Sequence, residues 1–115
     1  LFDIPIEECF FTTDDGLKLH GWFLPNDTAK ATLLWFHGNA GNITHRLSQL
    51  RALRLLECNI FIIDYRGYGK SEGEPTEKGL YLDALAAYDY LKTRSDVQQT
   101  RIFVYGQSLG AVGDV

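Results

Sequence analysis

The most specific chemical pattern of the chain is the run Gly-Gln-Ser-Leu-Gly at positions 106–110. It has the form G-x-S-x-G and follows an apolar run that predicts a buried strand. A nucleophile on such a sharp strand-to-helix turn needs small neighbours, which Gly106 and Gly110 provide. The pattern predicts that Ser108 attacks a carbonyl carbon and that the Leu109 N–H donates to the developing oxyanion. The alternative is a glycine-rich turn in which Ser108 only caps a helix.

A second donor for an oxyanion has to come from a neighbouring loop at the same sheet edge. Positions 37–42 read His-Gly-Asn-Ala-Gly-Asn and follow another apolar run. We predict that the backbone N–H of Asn39 is this donor and that His37 and Gly38 support the loop. His37 is interpreted as a packing residue, because a general base should come from a later loop in such an architecture.

A third motif, at positions 64–73, contains Gly69-Lys70-Ser71 after a strand and is close to a phosphate-binding P-loop. The position of the first glycine is Asp64, and Pro75 separates the lysine from the next helix. A P-loop requires that helix to begin at the lysine, so the spacing argues against nucleotide binding. Asp64 and Arg66 are predicted to brace the turn by pairing or capping.

The elements that position these motifs are predicted in the order β-β-β-α-β-α-β. Runs 8–13 and 17–24, separated by the turn 14–16, predict an antiparallel hairpin. Apolar runs at 31–37, 59–63 and 101–105 predict strands buried on both faces. With helices between them, these strands predict an α/β fold with parallel strands and helical crossovers, in which chemistry occurs beyond the carboxyl ends of the strands.

Two helices are predicted from apolar residues that recur every three or four positions. The first has Asn42 as its N-cap, and the second has Thr76. The predicted apolar face of the first consists of Ile43, Leu47, Leu50, Leu53 and Leu56. That of the second consists of Tyr81, Ala84, Leu85, Tyr88 and Leu91.

Composition excludes several classes of protein. The 115 residues are 45% hydrophobic and 23% charged, which is typical of a folded domain. A net charge of −4 provides no basic surface for nucleic acid. No apolar run reaches the roughly 20 residues that span a bilayer. Cys9 and Cys58 lack metal-site spacing and are predicted to be free, buried thiols.

Together, the motifs at 37–42, 64–73, 75–77 and 106–110 resemble the α/β-hydrolase superfamily, in particular its small esterase-like, serine-aminopeptidase-like and protein-depalmitoylase-like branch. The resemblance implies a serine hydrolase in which Ser108 is the nucleophile and the N–H groups of Asn39 and Leu109 form the oxyanion hole. The substrates would be esters, thioesters or, less often, peptides. They would be small molecules or acylated substrates. It implies no cofactor and no metal, and it makes residues 1–115 a partial α/β-hydrolase domain.

The other two members of a catalytic triad are expected outside this chain. In the family the acid and the histidine follow the serine, whereas His20, His37 and His45 all precede Ser108. Asp114 lies six positions after Ser108, inside the predicted elbow helix, and is not expected to be the acid. We therefore expect a fold truncated after the nucleophile elbow and inactive alone. The alternative function is a catalytically dead binding module that self-associates through an open sheet edge at residues 101–105.

Overall fold

A computed structural model describes residues 5–36 and 47–106. The strands are β1 (Glu7–Thr12), β2 (Lys18–Leu24), β3 (Ala31–Phe36), β4 (Cys58–Asp64) and β5 (Ile102–Gly106). The α-helices are α1 (Leu47–Leu53) and α2 (Glu77–Lys92). Short 3₁₀ helices at Arg54–Leu56 and Gln99–Arg101 lead into β4 and β5.

The strands form one mixed sheet in the order β1-β2-β4-β3-β5. β1 pairs with β2 antiparallel, and β2 pairs with β4 antiparallel. β3 lies between β4 and β5 and is parallel to both. The predicted hairpin, the parallel strands and the helical crossovers are all confirmed, with strand ends shifted by at most one residue.

Apolar side chains cover both faces of this sheet. One cluster lies under α2 and includes Phe23, Leu34, Phe61, Ile63 and Leu91. The other lies under α1 and includes Leu24, Trp35, Leu50, Ile60 and Ile62. β4 contributes to both clusters, as expected for a parallel strand covered on its two faces.

The prediction of α1 is correct at its centre and wrong at its end. Leu50 is fully buried, but Leu56 is exposed. The chain tightens into a 3₁₀ turn at Arg54–Leu56, with three residues per turn, so Leu56 rotates away from the apolar face. Glu57 then ends the turn in a left-handed conformation. Asn42 and Ile43, the predicted start of the helix, lie outside the described residues.

The predicted cap of α2 is confirmed, but its predicted apolar face is correct only at Leu91, which is buried, and at Ala84, which packs against the core. The Thr76 hydroxyl accepts a hydrogen bond from the N–H of Gly79 at 3.0 Å. The buried residues of the helix are Gly79, Asp83, Ala86, Ala87 and Leu91. Tyr81, Leu85 and Tyr88 are exposed. An ion pair between Asp83 and Arg66 sets the rotation of the helix, as described below, and apolar periodicity alone does not show such a pair.

β5 also differs from the prediction of a strand buried on both faces. It is the edge strand of the described sheet, and Phe103, Val104 and Tyr105 are exposed. Cys9 is a buried free thiol as predicted, and burial raises its pKa, whereas Cys58 is free but only partly buried. None of the helices within residues 5–36 and 47–106 combines the length and the apolar character that a membrane crossing requires.

Candidate active site

Three strand ends at one edge of the sheet form the basis of the candidate site. Because β3 is parallel to both neighbours, the carboxyl ends of β3, β4 and β5 lie at the same edge. The register places Trp35 opposite Ile62 on β4 and Phe36 opposite Gly106 on β5. Open α/β sheets bind their ligands beyond the carboxyl ends of the strands, so this edge is the candidate active site.

The two predicted catalytic motifs begin at adjacent positions of this edge. Gly106 ends β5 and pairs with Phe36, which ends β3. Strands that pair in this way lie about 5 Å apart, so the chain leaves them side by side toward the two motifs. The other six predicted site residues lie outside the described residues: His37, Gly38, Asn39, Ser108, Leu109 and Gly110. Their roles stay predictions.

The turn after β4 is built around the carboxylate of Asp64. The N–H of Lys70 donates to Asp64 Oδ2 at 3.3 Å, and the Ser71 hydroxyl donates to the carbonyl oxygen of Asp64. Gly69 has φ +51°, and a Cβ there would lie 2.1 Å from Asp64 Oδ2. Only glycine allows the backbone to approach the carboxylate so closely. Gly69 therefore serves the turn itself.

Arg66 ties this turn to α2 and to the hairpin. Its backbone N–H and Nε donate to the two carboxylate oxygens of Asp83 at 2.8 and 2.9 Å. Its Nη1 and Nη2 donate to the two oxygens of Asp15 at 2.8 and 3.0 Å. The guanidinium crosses Gly79, where a Cβ would lie 2.5 Å from Arg66 Cδ. The two parallel contacts with Asp15 have the bidentate geometry in which Arg–carboxylate pairs are strong.

The charges of this cluster stabilise one another. Hydrogen bonds from Arg66 are the largest cause that lowers the pKa of Asp15 to about 2. Asp15 and Asp83 in turn raise the pKa of Arg66, which keeps the guanidinium charged. The predicted bracing role of Asp64 and Arg66 is thus confirmed by their contacts. Asp15 and Asp83, however, were not predicted as partners, although the small residues around Asp83 in α2 are a signal that this helix face is buried.

His20 is a further residue of this region whose contacts the sequence did not show. Its side chain is 3% exposed and lies between the two carboxylates of Asp64 and Glu8. Nδ1 is 2.9 Å from Asp64 Oδ2, and Nε2 is 2.8 Å from Glu8 Oε2. Lys70 Nζ lies 2.7 Å from the same Glu8 oxygen. Hydrogen bonds from Lys70, and then from His20, lower the pKa of Glu8.

These contacts bear on whether the region binds a nucleotide phosphate or a metal ion. The lysine and serine of the P-loop-like motif are engaged by protein groups, Lys70 with Glu8 and Ser71 with Asp64 and the N–H of His20. The helix that follows begins only at Glu77. Across residues 5–36 and 47–106, no three His, Cys, Asp or Glu side chains are arranged to hold a metal ion.

Comparison with known proteins connects this site to a family. The family model for the serine aminopeptidase, S33, matches residues 27–114. The α/β-hydrolase domain-containing protein WAV2 of Arabidopsis thaliana is 46% identical over 113 residues, which is 95% of this chain and 37% of WAV2. Protein bem46 of Schizosaccharomyces pombe is 42% identical, over 95% of this chain and 38% of its own length.

Solved structures agree with this relationship. An esterase of Pyrococcus furiosus superposes with a TM-score of 0.82 at 28% sequence identity, over 95% of this chain and 42% of the esterase. The chain thus spans well under half the length of the relatives it matches. The sheet order, the site edge and the family match agree, and the chain belongs to the serine aminopeptidase S33 family of α/β-hydrolases.

Proposed function

We propose that this chain supplies the nucleophile and the oxyanion hole of a serine hydrolase that cleaves esters or thioesters. The observation that carries the proposal is the pairing of Phe36 with Gly106, which starts the two predicted motifs side by side. The likeness to an esterase structure supports ester chemistry. We propose further that residues 1–115 are part of one α/β-hydrolase domain.

The chemistry follows from the roles assigned to the predicted residues. Ser108 Oγ attacks the carbonyl carbon while a general base takes its proton. The N–H groups of Asn39 and Leu109 stabilise the negative charge that develops on the carbonyl oxygen. When the intermediate collapses, the bond to the leaving alcohol or thiol breaks and that group receives the proton. Water then attacks the acyl-serine, which releases the acid and restores the hydroxyl.

His20, the one histidine among the described residues, is not the proposed general base. The ring of His20 is buried against Asp64 and Glu8, so neither of its nitrogens is available to a substrate. The family order places the base after the serine, and relatives are more than twice as long as this chain. The proposed activity therefore belongs to the longest natural protein that contains these residues.

Covalent labelling tests this proposal. A fluorophosphonate probe reacts with activated serines. It should therefore label the longest natural protein that contains these residues and fail to label the Ser108→Ala variant of that protein. Ser95→Ala is the matched control, because Ser95 is exposed and lies outside the site edge, and it should be labelled like the wild type. Labelling that survives Ser108→Ala would overturn the assignment of the nucleophile.

A second candidate function is a binding module that acts through β5, and the exposure of this strand favours it. Val104 is 63% exposed, and β5 is the edge of the described sheet. An exposed apolar edge strand is a template for a further strand, and a second copy of this chain offers the same edge. We propose that two copies pair β5 to β5 in antiparallel orientation about a two-fold axis.

Sedimentation of the 115-residue chain over a range of concentrations tests the second candidate. A dimer should form as concentration rises, and Val104→Lys should weaken it because charges would meet across the pairing strands. Leu55→Lys is the control, since Leu55 is exposed on the 3₁₀ turn before β4. A wild-type chain that stays monomeric at every concentration would contradict this function.

A further inference from the structure

The hydrogen-bond geometry of His20 determines which protons its ring must carry. Both ring nitrogens lie within 2.9 Å of carboxylate oxygens, Nδ1 of Asp64 and Nε2 of Glu8. Ionised carboxylates only accept hydrogen bonds, and a neutral imidazole has a single N–H donor. With both carboxylates ionised, only the imidazolium satisfies both contacts at once. The geometry points to a His20 that carries a proton on both nitrogens and is a positive charge buried in the sheet.

A carboxylate lies at each ring nitrogen of this cation. The titratable groups that face it are Glu8 from β1, Asp64 from β4 and, through Glu8, Lys70 from the following turn. Two carboxylates balance one imidazolium and one ammonium, so the cluster is neutral as a whole. The Phe10 ring packs on the imidazole with ring centroids 5.2 Å apart, and Lys18 Nζ lies over the Phe10 ring, 4.6 Å from its centroid. A buried charge is tolerated when it is paired and hydrogen-bonded in this way.

The same contacts fix the turn after β4 to the hairpin. The N–H of His20 donates to Ser71 Oγ at 2.9 Å, and that hydroxyl donates to the carbonyl of Asp64. The N–H of Lys18 donates to Glu72 Oε1, and the N–H of Glu72 donates to the carbonyl of Lys18. His20 is thus the charged centre of a set of contacts that join β1, β2, β4 and the turn.

The position of that turn matters for the proposed hydrolase reaction. The positioning role that we assign to His20 rests on that proposed function. Asp64 ends β4, next to β3, and the following Tyr65 ring contacts Phe36 with centroids 6.0 Å apart. Phe36 is the last residue before the predicted oxyanion loop. We propose that the doubly protonated His20 is a positioning residue: it holds the turn after β4 against the end of β3 and so keeps the site edge in its reactive arrangement.

Nuclear magnetic resonance of the 115-residue chain tests the protonation without any need for activity. Spectra that correlate the ring nitrogens of His20 with their protons should show two N–H groups at pH 7. As pH rises until the second proton leaves, the amide signals of Gly69, Lys70 and Ser71 should shift with the same midpoint. A ring nitrogen without a proton at pH 7, or turn amides that do not follow the ring, would overturn the proposal.

Glu8→Gln is the variant for this measurement, because it keeps the shape of a half-exposed side chain and removes the charge. A glutamine amide can donate to Nε2, so the ring no longer needs two protons. We expect one unprotonated ring nitrogen at pH 7 in Glu8→Gln and two in the control Glu72→Gln, whose side chain contacts Lys18 rather than His20. An unchanged ring in Glu8→Gln would contradict the role of Glu8.

The effect of His20 on the reactivity of Ser108 is measured on the longest natural protein that contains this chain. His20→Gln should slow fluorophosphonate labelling of Ser108 on the order of ten- to hundred-fold, as expected for a small displacement near the site. Lys30→Gln, a highly exposed residue at the amino end of β3, away from the site edge, should label at the wild-type rate. Labelling of His20→Gln at the wild-type rate would overturn the positioning role. A wild type that is never labelled would instead overturn the proposed hydrolase, while the ring spectra still decide the protonation of His20.

Discussion

β4 and β5 are both short, apolar strands parallel to β3, yet their environments differ. β4 lies between β2 and β3, and every residue from Asn59 to Asp64 is buried. β5 pairs only with β3 within the described sheet, and its three central residues are exposed. The difference teaches that strand burial depends on the neighbours that the topology provides, and that an apolar run alone does not determine it.

The largest expected difference between the two strands comes from the same substitution in each. Phe61 is fully buried and contacts the rings of Phe11, Phe23 and Tyr90, whereas Phe103 is 53% exposed. Phe61→Ala should lower the free energy of unfolding by about 4 kcal/mol, because it leaves a cavity among these rings. Phe103→Ala should cost less than about 1 kcal/mol.

Urea unfolding followed by circular dichroism measures both values. Phe61→Leu serves as a milder variant if Phe61→Ala does not fold, and its loss should fall between the other two. Equal losses at the two phenylalanines would show that β5 is as well covered as β4.

The ion pairs around Arg66 should be the next most sensitive feature of the β4 side. Asp83→Ala removes the carboxylate that accepts from two groups of a buried Arg66, and we expect a loss of about 3 kcal/mol in the free energy of unfolding. The matched control is Asp89→Ala in the same helix, whose pair with Lys92 is half exposed and should change stability by less than about 0.5 kcal/mol. A loss at Asp83 no larger than at Asp89 would contradict the bracing role.

Amide hydrogen exchange compares the strands without any substitution. The amides of β4 should exchange at least about ten-fold more slowly than those of β5, since an edge strand opens locally at lower free energy than a central one. The measurement uses the monomeric chain at neutral pH. Strong protection of residues 102–105 in a monomer would show that this edge is covered after all.

The smallest expected effect is a dependence on pH through Asp15. Its pKa is lowered from 3.8 to about 2 in the folded chain, chiefly by hydrogen bonds from Arg66. A group whose pKa is lowered on folding stabilises the fold above its unfolded pKa, and that stabilisation is lost as the pH falls toward the folded value. Asp15→Asn should therefore be less stable than wild type at pH 6, and the gap should narrow between about pH 4 and 2.

Urea midpoints at several pH values measure this gap. Asp14→Asn is the neighbouring control for the loss of one negative charge in the same turn. A stability difference between wild type and Asp15→Asn that widens on acidification would contradict the assignment of the lowered pKa to hydrogen bonds from Arg66.

The sequence predicted most of the fold because its local signals are strong. The hairpin turn at 14–16, the N-cap at Thr76 and the apolar runs that form β3 and β4 depend on side chains near one another along the chain. The motif at 106–110 likewise predicted a candidate nucleophile, and the sheet register starts it beside the predicted oxyanion loop.

What the sequence alone did not predict depends on residues far apart in the chain. The buried face of α2 is set by Asp83, which pairs with Arg66 from the turn after β4, and Arg66 also reaches Asp15 in the hairpin. His20 meets Asp64 across 44 positions, and it does so only because β2 pairs with β4. A buried charge needs a partner, and that partner can lie far away in the sequence. Apolar periodicity along one helix or strand therefore does not predict it.

The sequence by itself determined the strand and helix types and the N-cap at Thr76, because these follow from local backbone preference and side-chain type, and it predicted Ser108 as the nucleophile. The tertiary structure decided which strand is central, which helix face is buried and which charges meet, since these depend on the order β1-β2-β4-β3-β5. That order places His20 beside Asp64 and Phe36 beside Gly106.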